Sequence, residues 1–293
     1  MVKKKFSETE KSLIKLFNDS KSFTHGGDQY DVIEVGKPSP SIGECKTDIY
    51  ILTSDKDKRQ KEFKISVKQH NADFLENKIK LERAIEILGN DAQSLIEAST
   101  TKVRNAFESE QLVFIDKKGK TGEKCITLGW KFEFMNKPSG GKSGLMQLTD
   151  SQKHDIYAGT NLPVSKINCT VNKHLIANSG IADYILEVDP EINQNVDFYI
   201  SKLVRIEDFV RNKDIYFACK ALNYRAVVDK WDGNRPLAVY IDWNLISNKL
   251  IGNVVFSNPL SKKGNEIGEN IQSILKQLGI STDNFKDIKK YLV

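Results

Sequence analysis

The chain has 293 residues, with 44 Lys and Arg against 39 Asp and Glu, a formal net charge of +5. Three Trp, nine Tyr and fourteen Phe are spread along it, and with 39% hydrophobic residues this excludes a mainly disordered polypeptide. No apolar run approaches the ~18 residues of a membrane span, and the mild basic excess permits a polyanionic partner without demanding one.

The start, MVKKKFSETEK, has a charged stretch with no apolar segment behind it, so no secretory signal is read and a cytoplasmic protein is expected. Cys45, Cys125, Cys169 and Cys219 stand far apart without a CxxC pair and read as reduced thiols. None of the four histidines has zinc-ligand spacing from a Cys or another His.

In chain order, Glu8 to Phe17 reads as a helix, with Ser7 and Glu10 at capping-box spacing and Leu13, Ile14 and Phe17 at helical intervals. A Gly-rich stretch, a short apolar segment from Val32 to Val35 and the turn-rich GKPSPSIGE follow. Two strands are predicted over Asp48–Leu52 and Glu62–Lys68, joined as a hairpin through the polar SDKDKRQK. Residues 73–88 (DFLENKIKLERAIEIL) predict an amphipathic helix, and a further helix is expected around 92–108.

From about residue 111 the pattern turns to strands: QLVFID, KCITLGWKFEF, KINCTV and DIYFACKAL are rich in β-branched and aromatic residues. PLAVYIDW and KLIGNVVFS suggest an antiparallel pair, with helices around 265–279 and 284–291 after it. NKPSGGKSG (136–144) reads as a mobile loop and subdomain boundary, giving a first part over 1–135 and a second over 145–293, with one continuous domain as the alternative. The fold class expected is α/β or α+β, a mixed central sheet flanked by helices.

The chemistry concentrates between Gly43 and Glu82. Along the second strand Phe63, Ile65 and Val67 fall on one face and Lys64, Ser66 and Lys68 on the other. If the strands pair, Asp48 lies near Ser66 and Lys68. A carboxylate beside a lysine on neighbouring strands suits metal-assisted phosphodiester hydrolysis, the acid holding a divalent cation and the ammonium orienting the attacking water or helping its deprotonation by stabilising the hydroxide that forms.

Asp48 and Ser66-Val67-Lys68, followed by Glu82 fourteen residues beyond the lysine, resemble the PD-(D/E)xK nuclease superfamily, and within it type II restriction endonucleases. The resemblance covers about forty residues. Two positions depart from the usual pattern: Thr47 stands where Pro is common, and Ser66 where an acid is expected. Members with a Ser-x-Lys strand take the missing carboxylate from the following helix, which here implies Glu82; Glu82 shares a helical stripe with Leu75 and Ile79, and Glu44 is its rival.

The resemblance implies a restriction-endonuclease-like core and a Mg²⁺ cofactor held by Asp48, Glu82 and the Val67 carbonyl. Lys68 would position the water and Ser66 would support the site. It further implies double-stranded DNA cut at a short specific sequence, and a homodimer reading a palindrome. The alternatives are a repair, nicking or structure-specific nuclease of the same superfamily, or a non-catalytic DNA-binding module.

GGKS at 140–143 lacks the first glycine of a phosphate-binding loop, since Asn136 occupies that position, so no nucleotide cofactor is expected. Lys142 in that loop, and Lys230, Asn234 and Arg235 in the later turn, are the candidate DNA contacts, with Asn172, Lys173 and His174 a weaker set of the same kind.

Overall fold

The computed structural model describes residues 6–70, 74–76 and 79–292. The fold is mixed α/β, as the pattern predicts. The chain forms two compact units that interleave in sequence: residues 1–72, 86–89 and 148–213 make the first, and 73–85, 90–147 and 214–293 the second. The 136–144 segment therefore lies inside the second unit rather than at a boundary. Its end pairs in a strand, Ser143–Leu145, against Tyr216–Ala218.

The first unit opens with helix α1 (Phe6–Asp19), whose Leu13 and Phe17 are fully buried. Strands β1 (Ser22–His25) and β2 (Asp28–Gly36) form a hairpin around Gly26 and Gly27, with φ of 62° and 90°. Two successive left-handed residues suit a two-residue hairpin turn, and glycine adopts them without strain. Strands β3 (Ile49–Ser54) and β4 (Gln60–Gln69) form the predicted second hairpin, Ile49 opposite Ile65 and Tyr50 opposite Lys64. Its turn is held by the Asp55 carboxylate, which accepts from the N–H of Asp57 and of Arg59 at 2.8 and 3.0 Å.

After β4 the chain leaves for the second unit and returns through helices α2 (Asp150–Ala158) and α3 (Val164–Ile167) and a small hairpin of β5 (Cys169–Val171) and β6 (His174–Ile176). Strand β7 (Tyr184–Val188) then lies parallel to β4, Leu186 beside Val67. Its run YILEV is buried at four of five positions, as expected of a parallel strand covered on both faces. Helix α4 (Val196–Ser201), strand β8 (Val204–Arg205) and helix α5 (Ile206–Arg211) complete the unit, and the sheet order is β1-β2-β3-β4-β7-β8. Phe63, Ile65 and Val67 enter the core with Leu13, Phe17, Ile49, Ile51 and Leu186, so the alternation along β4 is as the sequence predicts.

The second unit is built on the strand Cys125–Met135, paired antiparallel with Tyr216–Arg225 and with Val239–Ile246. The latter pairs with Lys249–Val255, the antiparallel pair expected from sequence. Helix Gly264–Gln277 packs beside them, while the last predicted helix is a 3₁₀ segment, Phe285–Lys290. The helix predicted over 92–108 is divided into Ala92–Thr101 and Arg104–Glu108.

The helix predicted over 73–88 is shorter than expected, running only from Leu81 to Leu88. Phe74–Glu76 instead pair with Met135 and Phe134, because strand pairing overrides the helical period there; residues 71–73 and 77–78 lie outside the described residues. Among the described residues no helix is long and apolar enough to cross a membrane.

Candidate active site

The approach to β3 is clamped before it reaches Asp48. The N–H groups of Lys46 and Thr47 both donate to the Gly180 carbonyl, at 3.0 and 3.3 Å, and the Asp48 N–H donates to the Ile65 carbonyl at 2.8 Å. Asp48 thus sits at the head of β3, beside the far end of β4. Its Oδ2 accepts from the Val67 N–H at 2.7 Å and, more loosely, from Ser66 Oγ at 3.4 Å. N–H and C=O of one strand residue share an edge, so the Val67 carbonyl faces the same edge as Asp48. Ser66 is fully buried and Lys68 half-buried. Asp48, Ser66, Val67 and Lys68 come together as the sequence predicts.

A second carboxylate comes from α1. Glu10 lies three residues before Leu13 and seven before Phe17, on the stripe that this helix turns toward the sheet, and it is only 5% exposed. The capping-box reading is corrected here: Ser7 is inside α1, not at its cap, and Glu10 forms an ion pair with the Lys37 ammonium instead. The same helix turn is tied to the end of β4. Gln69 Nε2 donates to Thr9 Oγ1 at 2.9 Å, and Thr9 Oγ1 donates to the Pro190 carbonyl, also at 2.9 Å.

These groups act on one another electrostatically. Burial pushes the Asp48 carboxyl up to about 6; Lys68, the Val67 N–H and Lys37 oppose the shift, and Glu10 adds to it. Burial pulls the Lys37 ammonium down, but Glu10, Asp48 and Glu44 together outweigh burial and raise its pKa. Two acids and two ammonium groups therefore share one field.

The carboxylate that the first unit supplies beside Asp48 is Glu10, not Glu82. Glu82 is an exposed residue in the first turn of the helix Leu81–Leu88 and belongs to the second unit. Glu86 is engaged elsewhere, with both carboxylate oxygens 2.7 Å from Lys166 Nζ. Glu44 is exposed and reaches the cluster only through Lys37.

Of the candidate DNA contacts, Lys142, Lys230, Asn234 and Arg235 fall in the second unit, and the weaker set Asn172, Lys173 and His174 in the first. Lys142 is 15% exposed, paired with Glu110, and its ammonium lies 5.5 Å from the Trp130 ring centre and 5.9 Å from that of Phe107; it is a packed residue rather than a loop lysine. Lys230 and Asn234 are exposed and Arg235 half-buried; the Asn234 side chain accepts from the Asn265 N–H at 3.4 Å.

Among the described residues no three His, Cys, Asp or Glu side chains form a ready metal cage. The oxygens the cluster offers are the Asp48 and Glu10 carboxylates and the Val67 carbonyl, hard donors of the kind Mg²⁺ takes with its remaining positions filled by water. The donor set therefore fits a magnesium ion, and Lys37 is the ammonium that faces both acids. Comparison with protein-family models, with curated proteins and with solved structures yields no match to this chain.

Proposed function

We propose that the protein is a Mg²⁺-dependent endonuclease hydrolysing phosphodiester bonds of double-stranded DNA at a short specific sequence, akin to type II restriction enzymes of the PD-(D/E)xK superfamily. The observation that carries the reading is the Asp48 carboxylate held on the Val67 N–H, with Lys68 and buried Glu10 acting on it electrostatically, where β4 lies between antiparallel β3 and parallel β7.

In this reading Asp48, Glu10 and the Val67 carbonyl hold the cation. Bound there, Mg²⁺ would offset charge on the scissile phosphate and the leaving oxygen. Lys68 orients the attacking water and helps remove its proton. Ser66 steadies the Asp48 carboxylate, and the Val67 N–H fixes which carboxylate oxygen remains for the metal. Glu10 takes the part that the sequence pattern gave to Glu82. A two-fold dimer would match a palindromic target.

Plasmid and phage DNA incubated with the protein and Mg²⁺ test the reading. Discrete fragments that disappear with EDTA are the expected result. Smearing or cuts confined to branched DNA would move the protein to a structure-specific nuclease, and binding without cutting to a non-catalytic DNA-binding module.

A further inference from the structure

The β5–β6 hairpin is a two-stranded ribbon outside both large sheets. Asn172 and Lys173, with φ of 45° and 78°, form its tight two-residue turn. Its two faces differ in character. Cys169 and Val171 are fully buried, whereas the cross-strand partners Thr170 and Leu175 on the opposite face are exposed, Leu175 at 73%. Lys173 at the tip is exposed as well, and so is His174, which as the partner of Val171 lies on the other face from Leu175.

The ribbon is firmly anchored to the chain that leads into the candidate site. Ser39 and Thr170 exchange two main-chain hydrogen bonds, each 2.9 Å. Asn172 Nδ2 donates to the Val35 carbonyl at 3.0 Å. A Cβ on Gly36 would come within 2.6 Å of Val171 Cγ1, so any side chain there would force the buried Val171 to shift. Two residues before Ser39 is Lys37, the partner of Glu10, roughly 7 Å away along an extended chain.

We propose that this ribbon enters the major groove of the DNA substrate and reads base edges beside the scissile phosphate. The inference rests on the nuclease reading above and deepens it. A B-DNA major groove about 12 Å wide admits a two-stranded ribbon, and the phosphates that border it would lie at the ribbon's base, toward Lys37 and Asp48. The chemistry of the tip and of the exposed face fits that groove: Lys173 donates to guanine O6 and N7, and Leu175 and the Thr170 methyl meet thymine methyl groups. A single exposed leucine beside a lysine and a threonine is suited to a polyanion's groove rather than to a broad apolar protein face.

The test uses the full-length chain in Ca²⁺, so that binding is read without cutting. A random duplex pool is selected with the wild type, and affinities for the enriched and a scrambled site are compared for Lys173→Gln and Leu175→Ser. Both positions are exposed, so neither change should disturb packing. The expected result is a loss of at least about tenfold in the ratio of specific to non-specific affinity, with non-specific binding little changed. An unchanged ratio would remove the ribbon as the reader while leaving the nuclease reading in place. Cutting by a wild type that enriches no sequence would also overturn the ribbon proposal. Neither binding nor cutting by the wild type would overturn both.

Discussion

The Asp48 carboxylate takes over from a strand at the Val67 N–H. β3 begins only at Ile49, and the next main-chain donor along that edge of β4 is satisfied by a side chain, at 2.7 Å. The ladder bond that would have continued the hairpin instead orients a half-buried acid beside Lys68 and within the field of Glu10.

Lys68→Ala should leave the fold intact, because the side chain is on the face away from the Phe63–Val67 core. Cleavage under single-turnover conditions should fall by at least about 100-fold, the range for a lost proton-transfer group. Circular dichroism and DNA binding in Ca²⁺ check that only the chemistry is lost.

The identity of the second acid is tested by a pair of substitutions. Glu10→Gln should weaken Mg²⁺ binding, followed by calorimetry, and reduce cleavage by about 100-fold or more. Glu82→Gln should cut at the wild-type rate, because that carboxylate is exposed and Glu10 already supplies the second acid. The reverse pattern would return the role to Glu82.

Asp48 should carry a stability cost in the metal-free protein. Its carboxyl is raised from 3.8 to about 6, so the folded state binds the proton more tightly than the unfolded state. The cost is absent below pH about 4, grows as pH rises through the window to about 6, and is complete above it. Asp48→Asn, which still offers an oxygen to the Val67 N–H, should therefore be more stable than wild type at pH 7.5 by roughly 1–3 kcal/mol. Urea unfolding at pH 4 and pH 7.5 checks this: the advantage should vanish at the lower pH.

Lys142→Ala should reduce stability rather than DNA affinity. It removes an ammonium packed over Trp130 and leaves Glu110 without that partner, a loss of about 1–3 kcal/mol for a partly buried pair. Thermal unfolding should register the change, and binding to a DNA duplex in Ca²⁺ should not.

The hairpin that carries Asp48, Ser66 and Lys68 was legible because its period of two and its polar turn are local signals. Glu10 was not, because Ser7 and Glu10 at capping spacing gave that glutamate a different role, and only the Leu13–Phe17 stripe could have indicated its inward direction. The helix predicted from residue 73 failed at Phe74–Glu76 because pairing with Met135 and Phe134 is a long-range contact with no local trace. The interleaving of the units has the same cause. β7, the parallel partner of β4, is more than a hundred residues away in the chain, and the composition around 136–144 marks a loop inside a unit as readily as a linker between two.

The most direct measurement is single-turnover cleavage of phage DNA in Mg²⁺ by wild type and Asp48→Asn, with the affinity of each for the same DNA measured in Ca²⁺. The expected result is metal-dependent cutting by the wild type, and a variant that binds DNA yet cuts at least about 1,000-fold more slowly. Intact DNA after incubation with the wild type, or cutting by Asp48→Asn at the wild-type rate, would contradict a phosphodiester-hydrolysing site built on Asp48, Glu10 and Lys68.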